Sequence, residues 1–196
     1  MEAIAEALER GAVAIVPTDT VYGLVCRADR SDAVERIYAL KGRPRREPLI
    51  LFLADATQMD TYTAEVPLSA KRLAAAFWPG PLTMVVGAGA GVPSALLGGG
   101  DTVGLRVPDH AALLAIVRRC GTALASTSAN RHGAPPPADA DAAAAAFDTP
   151  PELIVDGGPA RHGIPSTVVD CTVSPPRVVR AGAVSEEAVQ AALNTP

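Results

Sequence analysis

Apolar and polar positions alternate between two periods along this chain, and the switches between them predict an interleaved set of helices and strands. Ile4 and Leu8 stand one helical turn apart within Glu2 to Glu9, and Gly11 is placed to end that helix. Ala12 to Val16 is a continuous apolar run stopped by Pro17, and Val21 to Cys26 reads as a second short strand. Ala33, Val34, Ile37, Tyr38 and Leu40 then form a helical stripe that Ser31 or Asp32 could cap, with Gly42 and Pro44 as the stop. Leu49 to Leu53 is apolar throughout, as in a strand buried on both faces.

The second half repeats the alternation. Asp55 to Thr61 and Leu68 to Trp78 predict helices, Leu82 to Val86 a strand, and Gly87 to Gly100 a loop. Val103 to Val107 predicts a strand, Ala111 to Arg119 a helix, and Thr122 to Ser126 a strand running into a polar turn, Thr127 to Asn130. After the stiff Pro135 to Pro137 come a helix, Ala138 to Phe147, and three strands: Glu152 to Asp156, Thr167 to Cys171 and Val178 to Arg180. Glu186 to Leu193 closes as a helix. Interleaving of this kind predicts a single α/β domain, and the crowded late strands predict a mixed sheet.

Composition narrows the picture. The chain has 196 residues, 48% hydrophobic and 19% charged, which suits one folded domain rather than a disordered segment. Aromatics are 4%, so Ala, Val, Leu and Ile must fill the core. A net charge of −4 argues against coating nucleic acid by global charge, though not against a local basic cleft. Cys26, Cys120 and Cys171 are far apart and form no CxxC pair, which fits free thiols in a reducing compartment. Met1 to Arg10 carries acids and lacks a basic n-region, and no apolar stretch is long enough to cross a bilayer. A cytoplasmic protein is expected.

Candidate chemistry gathers at strand ends. Lys41, Arg43, Arg45 and Arg46 lie between a helix end and a buried strand, where α/β folds open into clefts. Lys as a point charge and Arg as a planar fork suit phosphate and carboxylate oxygens. That placement favours ligand contact for Lys41 and Arg43, while Arg45 and Arg46 fit a solvated face equally well. Three hydroxyl clusters also stand at strand ends: Thr18 to Thr20, Ser126 to Asn130, and Ser166-Thr167. Each alone could be an ordinary turn. Arg106 and Arg180 are single cations inside strand patterns, and their number together points to one shared pocket. No Walker A sequence, HExxH or GxSxG occurs, and the Gly87-Gly89-Gly91 run lacks the third glycine of a dinucleotide loop.

Taken in order, seven blocks resemble the YrdC/TsaC family of threonylcarbamoyl-adenylate synthases. They are PTDTVYGL (Pro17 to Leu24), KGRP with PL (Lys41 to Pro44, Pro48-Leu49), WPGPLT (Trp78 to Thr83), VGLRVPDH (Val103 to His110), STSAN (Ser126 to Asn130), STVVD (Ser166 to Asp170) and RAGA (Arg180 to Ala183). The resemblance implies a YrdC-like domain over residues 1–196, with a twisted mixed sheet, flanking helices and a concave basic cleft. Longer members continue into a further C-terminal domain, which is not expected here. The implied reaction joins L-threonine, bicarbonate and ATP into threonylcarbamoyl-AMP and pyrophosphate, feeding the modification of the tRNA adenosine next to the anticodon. An N-carboxylate must attack the α-phosphate, an encounter of anions that needs cations and alignment.

By the same resemblance, Lys41 and Arg43 match the family's KxR, face the phosphates and the carboxylate, and are the expected catalytic pair. Ser128, Asn130 and Arg180 join them in binding ATP. Thr20, Tyr22, Arg106 and Ser166 are the expected threonine pocket. Magnesium accompanies the triphosphate, with no protein-bound metal expected. The product is handed to the tRNA threonylcarbamoyl-transferase complex, and weak tRNA binding is compatible with a basic cleft. Two positions depart from the family: Phe52 stands where some members carry His, and Arg131-His132-Gly133 replaces the usual Ser-Gly after SAN. The alternatives are an RNA-binding YrdC-like module, against which the missing aromatic platform counts, and a divergent carbamoyl-transfer paralogue.

Overall fold

The computed structural model describes residues 2–194. Nine strands form one mixed sheet. They are β1 (Ala14–Val16), β2 (Gly23–Arg27), β3 (Ile50–Phe52), β4 (Leu82–Gly87), β5 (Thr102–Arg106), β6 (Leu124–Ser128), β7 (Leu153–Ile154), β8 (Thr167–Asp170) and β9 (Arg177–Arg180). Across the sheet the order is β7-β1-β2-β6-β3-β5-β4-β8-β9. β1 with β7, β3 with β5, and β4 with β8 run parallel. The other neighbours are antiparallel. The helices are α1 (Glu2–Glu9), α2 (Ser31–Lys41), α3 (Met59–Tyr62), α4 (Leu68–Phe77), α5 (Ala111–Cys120), α6 (Ala140–Ala145) and α7 (Glu186–Asn194).

Because successive strand residues point to opposite faces, the register sorts the sheet into two surfaces. On the first, Cys26, Ala125, Leu51, Leu105, Met84 and Val169 stand side by side from β2 to β8. They join one core with the buried stripe of α2 and with Ala70 and Leu73 of α4 and Val189 of α7. On the second face, α1 and α5 cover only one end. Ala5, Leu8, Leu113, Ile116 and Val117 pack there on Ala14, Val16, Val25, Phe52 and Leu124. Beyond Phe52 neither α1 nor α5 packs on this face, and there the cavity opens.

Several local readings shift for physical reasons. The expected strand ending at Ser126 runs on to Ser128, because Thr127 and Ser128 pair with Leu24 and Gly23 of β2. Residues 55–61 form a 3₁₀ turn, Ala56–Gln58, followed by α3, with Asp55 capping the turn through Thr57 N. A second 3₁₀ turn, Ser94–Leu96, interrupts the glycine-rich loop. Neither Ser31 nor Asp32 caps α2: the N-cap is Arg30, and Asp32 accepts 2.8 and 2.9 Å bonds from its guanidinium. Gly42 ends α2 in the left-handed region, φ +61°, where a β-carbon is disfavoured. Leu51, fully buried at the centre of the sheet, tests this core. Leu51→Ala is expected to lower the unfolding free energy by about 2–5 kcal/mol, read from urea denaturation.

Candidate active site

A cavity of about 270 Å³ occupies the uncovered part of the second sheet face. Its floor is set by strand alternation. Ser126, Ile50, Gly104 and Val85 form one row of neighbours, and Phe52 and Arg106 stand side by side in the next. Ser126 and Ser128 share the face of Leu124, so β6 passes from apolar to hydroxyl-bearing where the helical cover ends. Gly104 keeps the floor low: a β-carbon there would stand 2.8 Å from Ile50 Cγ2. Among the described residues the hydroxyls of Ser126 and Ser128 have no hydrogen-bond partner, so both are available to a ligand.

One end of the cavity is organised by Arg106, which is only 3% exposed. Its Nη2 donates to Asp19 Oδ1 at 2.6 Å, its Nη1 to Thr20 Oγ1 at 2.9 Å, and its Nε to the Gly80 carbonyl at 3.0 Å. The guanidinium carbon lies 5.7 Å from the centre of the Phe52 ring. The hydroxyls of the turn are ordered in sequence. Thr18 donates to the Val21 carbonyl at 2.7 Å, so its 2.9 Å contact with Thr20 must use the Thr20 proton. Thr20 then presents its lone pairs to Arg106. Loop residues hold the turn from outside, as His162 N donates to Asp19 O and Gly163 N to Thr20 O.

Ser166 and Arg180 close the β8–β9 side. Ser166 Oγ lies 2.8 Å from Thr83 Oγ1, and Arg180 Nη2 donates to Ser166 O at 2.8 Å and to its Oγ at 3.1 Å. Arg180 forms no ion pair among the described residues. Loss of water around its head lowers its pKa, and the Arg43 cation lowers it further. Arg43 lines the cavity with Nη2 3.1 Å from the Pro48 carbonyl and 3.5 Å from Glu47 Oε2. Glu47 also stands 3.5 Å from His132 Nε2. The His132 departure therefore places an imidazole behind Arg43, on the carboxylate they share.

Seven of the nine expected site residues line the cavity: Thr20, Tyr22, Arg43, Arg106, Ser128, Ser166 and Arg180. Tyr22 reaches it with its hydroxyl already engaged, donating to Gly158 O at 2.7 Å and accepting from Gly157 N at 3.0 Å. Lys41 and Asn130 do not line it. Lys41 Nζ donates to the carbonyls of Ser128 and Asn130, both at 2.6 Å, and lies 3.4 Å from Asn130 Oδ1. Asn130 Nδ2 donates to the Arg131 and Ala134 carbonyls at 3.0 and 2.6 Å. These two hold the turn that follows Ser128. Ser126, from the second hydroxyl cluster, lines the cavity as well, and Thr83, Gly23 and Gly104 do so without having been singled out as site residues. The signal for them was alternation: Thr83 and Val85, or Gly104 and Arg106, fall on one face of their strands.

The cavity is lined by hydroxyls, guanidiniums and apolar floor residues, with no carboxylate among them. Among the described residues no group of three or more His, Cys, Asp or Glu could hold a metal ion. No described helix is long and apolar enough to cross a membrane. The fold and the cavity define an α/β protein with a pocket lined by hydroxyls and arginines on an open sheet face.

The family described as "Telomere recombination" matches residues 6–182, and the chain belongs to this Sua5/YciO/YrdC family. The chain is 40% identical over 190 residues to the threonylcarbamoyl-AMP synthase of Bacillus subtilis, covering 95% of this chain and 54% of that one. Pyrococcus abyssi Sua5 complexed with L-threonine superposes with a TM-score of 0.95 at 38% identity, covering 98% of this chain and 57% of that one. Escherichia coli YciO matches with a TM-score of 0.87 at 29% identity, over 96% of this chain and 91% of that one. The chain thus spans about half the length of the curated relatives it matches first.

Burial, and then the charge of Arg43, push the Lys41 pKa down from 10.5 to about 8, while Glu47 pulls it up. A lysine whose folded pKa lies below its unfolded value disfavours folding while charged. That penalty is full below pH 8 and fades up to pH 10.5. Wild-type stability should therefore rise relative to Lys41→Met between these limits, read by urea denaturation. The Lys41 Cε resonance should titrate near pH 8.

Proposed function

We propose that this chain is one YrdC-like unit that joins L-threonine, bicarbonate and ATP into threonylcarbamoyl-AMP, releasing pyrophosphate. The observation that carries this reading is one cavity holding a fixed guanidinium, Arg106, at one end and two further arginines, Arg43 and Arg180, beside the hydroxyls of β6 and β8. Arg106 spends three of its N–H groups inside the protein. Of the five a guanidinium carries, about two are left, enough for the amino-acid carboxylate. The relatives' names support the same chemistry, as does the threonine complex of Pyrococcus abyssi Sua5.

On this reading Thr20 and Ser166 flank the amino acid, and Phe52 forms the apolar wall beneath it. Attack of the threonine amine on bicarbonate forms the N–C bond, breaks one C–O bond with loss of water, and gives an N-carboxylate. Its oxygen attacks the α-phosphorus of ATP, the bond to the β-phosphate bridging oxygen breaks, and pyrophosphate leaves with that electron pair. Arg43 and Arg180 screen the phosphates while Ser126 and Ser128 donate hydrogen bonds to them, so the two anions meet in line. Lys41 adds its charge from beneath the Ser128 carbonyl and keeps that turn in shape. A hard cation prefers carboxylate oxygens, which the lining lacks, so magnesium is assigned to the ATP it arrives with and not to a protein cage. The cleft is basic at its Arg43–Arg180 end, since Asp19 balances Arg106. The adenylate would pass to a tRNA-modifying transferase, in the cytoplasm where that tRNA is found.

Pure protein incubated with ATP, magnesium, bicarbonate and threonine should release pyrophosphate and form the adenylate, and omission of threonine or bicarbonate should abolish both. Arg43→Ala should lower kcat/KM by about a hundredfold, and Lys41→Ala should also abolish product formation. Product-free turnover of ATP, or release that ignores threonine, would sink this assignment.

A further inference from the structure

We propose that Asp19, which does not itself line the cavity, is a positioning residue: it clamps the Arg106 guanidinium in the plane that presents its remaining N–H groups to the amino-acid carboxylate. The inference rests on the reading of Arg106 given above and adds to it the residue through which that end of the site is set.

Four contacts define the clamp, and they come from three parts of the chain. Asp19 and Thr20 hold the two Nη atoms from the turn after β1. Gly80 O holds Nε from the loop before β4, and the Phe52 ring lies beneath the group. Only one of these partners is charged. The 2.6 Å bond to Asp19 Oδ1 is the shortest of the three hydrogen bonds and is fully shielded, with side-chain exposures of 3% for Arg106 and 0% for Asp19. Charge-assisted bonds of this kind are the strong, direction-setting ones.

Asp19 Oδ2 is buried and has no hydrogen-bond partner among the described residues. If the carboxylate served packing or turn geometry, both oxygens would be expected to find donors, as buried polar groups generally do. Instead its single side-chain bond goes to Arg106. A buried ion pair is weak support for a fold and can often be replaced by apolar side chains of similar volume. Setting a guanidinium plane is a task that apolar replacements cannot perform. The pairing also balances the Arg106 charge, so this end of the cavity selects by directed N–H groups. A planar carboxylate fits that arrangement better than an anion held by charge alone.

The clamp is tested on Asp19→Asn, which keeps the shape and removes the charge. In wild-type protein labelled with nitrogen-15 arginine, the Nη resonances of Arg106 should be resolved through slow rotation, and in Asp19→Asn they should merge. Threonine affinity, measured by calorimetry, should fall by about tenfold or more with ATP affinity changed less than about twofold. The KM for threonine should rise by a similar factor.

Merged Arg106 signals in the wild type would overturn the proposal. So would threonine affinity in Asp19→Asn within twofold of wild type, or equal losses of threonine and ATP binding. If Asp19→Asn does not fold, the wild-type spectrum decides: the resolved Nη signals must persist when threonine is added, and their averaging would overturn the clamp. Wild-type protein that shows resolved Arg106 signals but binds no threonine would remove the proposed substrate and leave the clamp standing.

Discussion

A β-sheet has two faces, and here only one is fully covered by helices. That inequality organises the rest of the molecule. α2, α4, α6 and α7 contribute to one core, while α1 and α5 reach only the end of the opposite face that runs from β1 to β3 through β2 and β6. The uncovered strands cannot present Leu or Val to water over so wide an area without forming an apolar patch. Instead they carry Ser126, Ser128, Gly104, Thr83 and Arg106 at the positions facing out. Sheet geometry thus dictates where polar side chains can converge, and the cavity is the place where the core was left unfinished.

Most of the architecture was legible because hydrophobic periodicity reports burial directly. α2 was visible as a stripe, and β3 as an unbroken apolar run between turn residues. What escaped depended on partners distant in sequence. Thr127 and Ser128 look like a turn by composition, yet Leu24 and Gly23 pair with them and extend β6. Lys41 and Asn130 were legible as chemistry but not as geometry. Which way a lysine at a helix end points depends on the acceptors it meets, and here the carbonyls of Ser128 and Asn130 capture the ammonium. Asp19 was visible only as a polar turn residue, because nothing local marks the Arg106 that lies eighty-seven positions on.

Charge in the site is graded rather than uniform. Arg106 is balanced by Asp19, and Arg43 shares Glu47 with His132. Among the described residues Arg180 has hydroxyl and carbonyl partners and no ion pair. A carboxylate entering near Arg106 meets directional donors with little net field, whereas phosphates near Arg43 and Arg180 meet two cations that repel each other until an anion arrives between them. When protonated, Lys41 adds a third charge, held just behind the β6 turn. Such a gradient favours one orientation of a ligand that bears a carboxylate at one end and phosphates at the other.

The residues around this cavity run from Thr18 to Arg180, so nearly the whole chain must be in place before the pocket exists. Contacts of such long range make a slow and highly cooperative closure step, since much chain entropy is lost before any of them forms. Arg180 belongs to an edge strand added late in the sequence, and it reaches back over Ser166 to complete the wall. A molecule bound in the pocket would bridge the first strands to the last. Its binding energy would then act as a cross-link on the entire fold, raising resistance to unfolding and to proteolysis in proportion to ligand concentration.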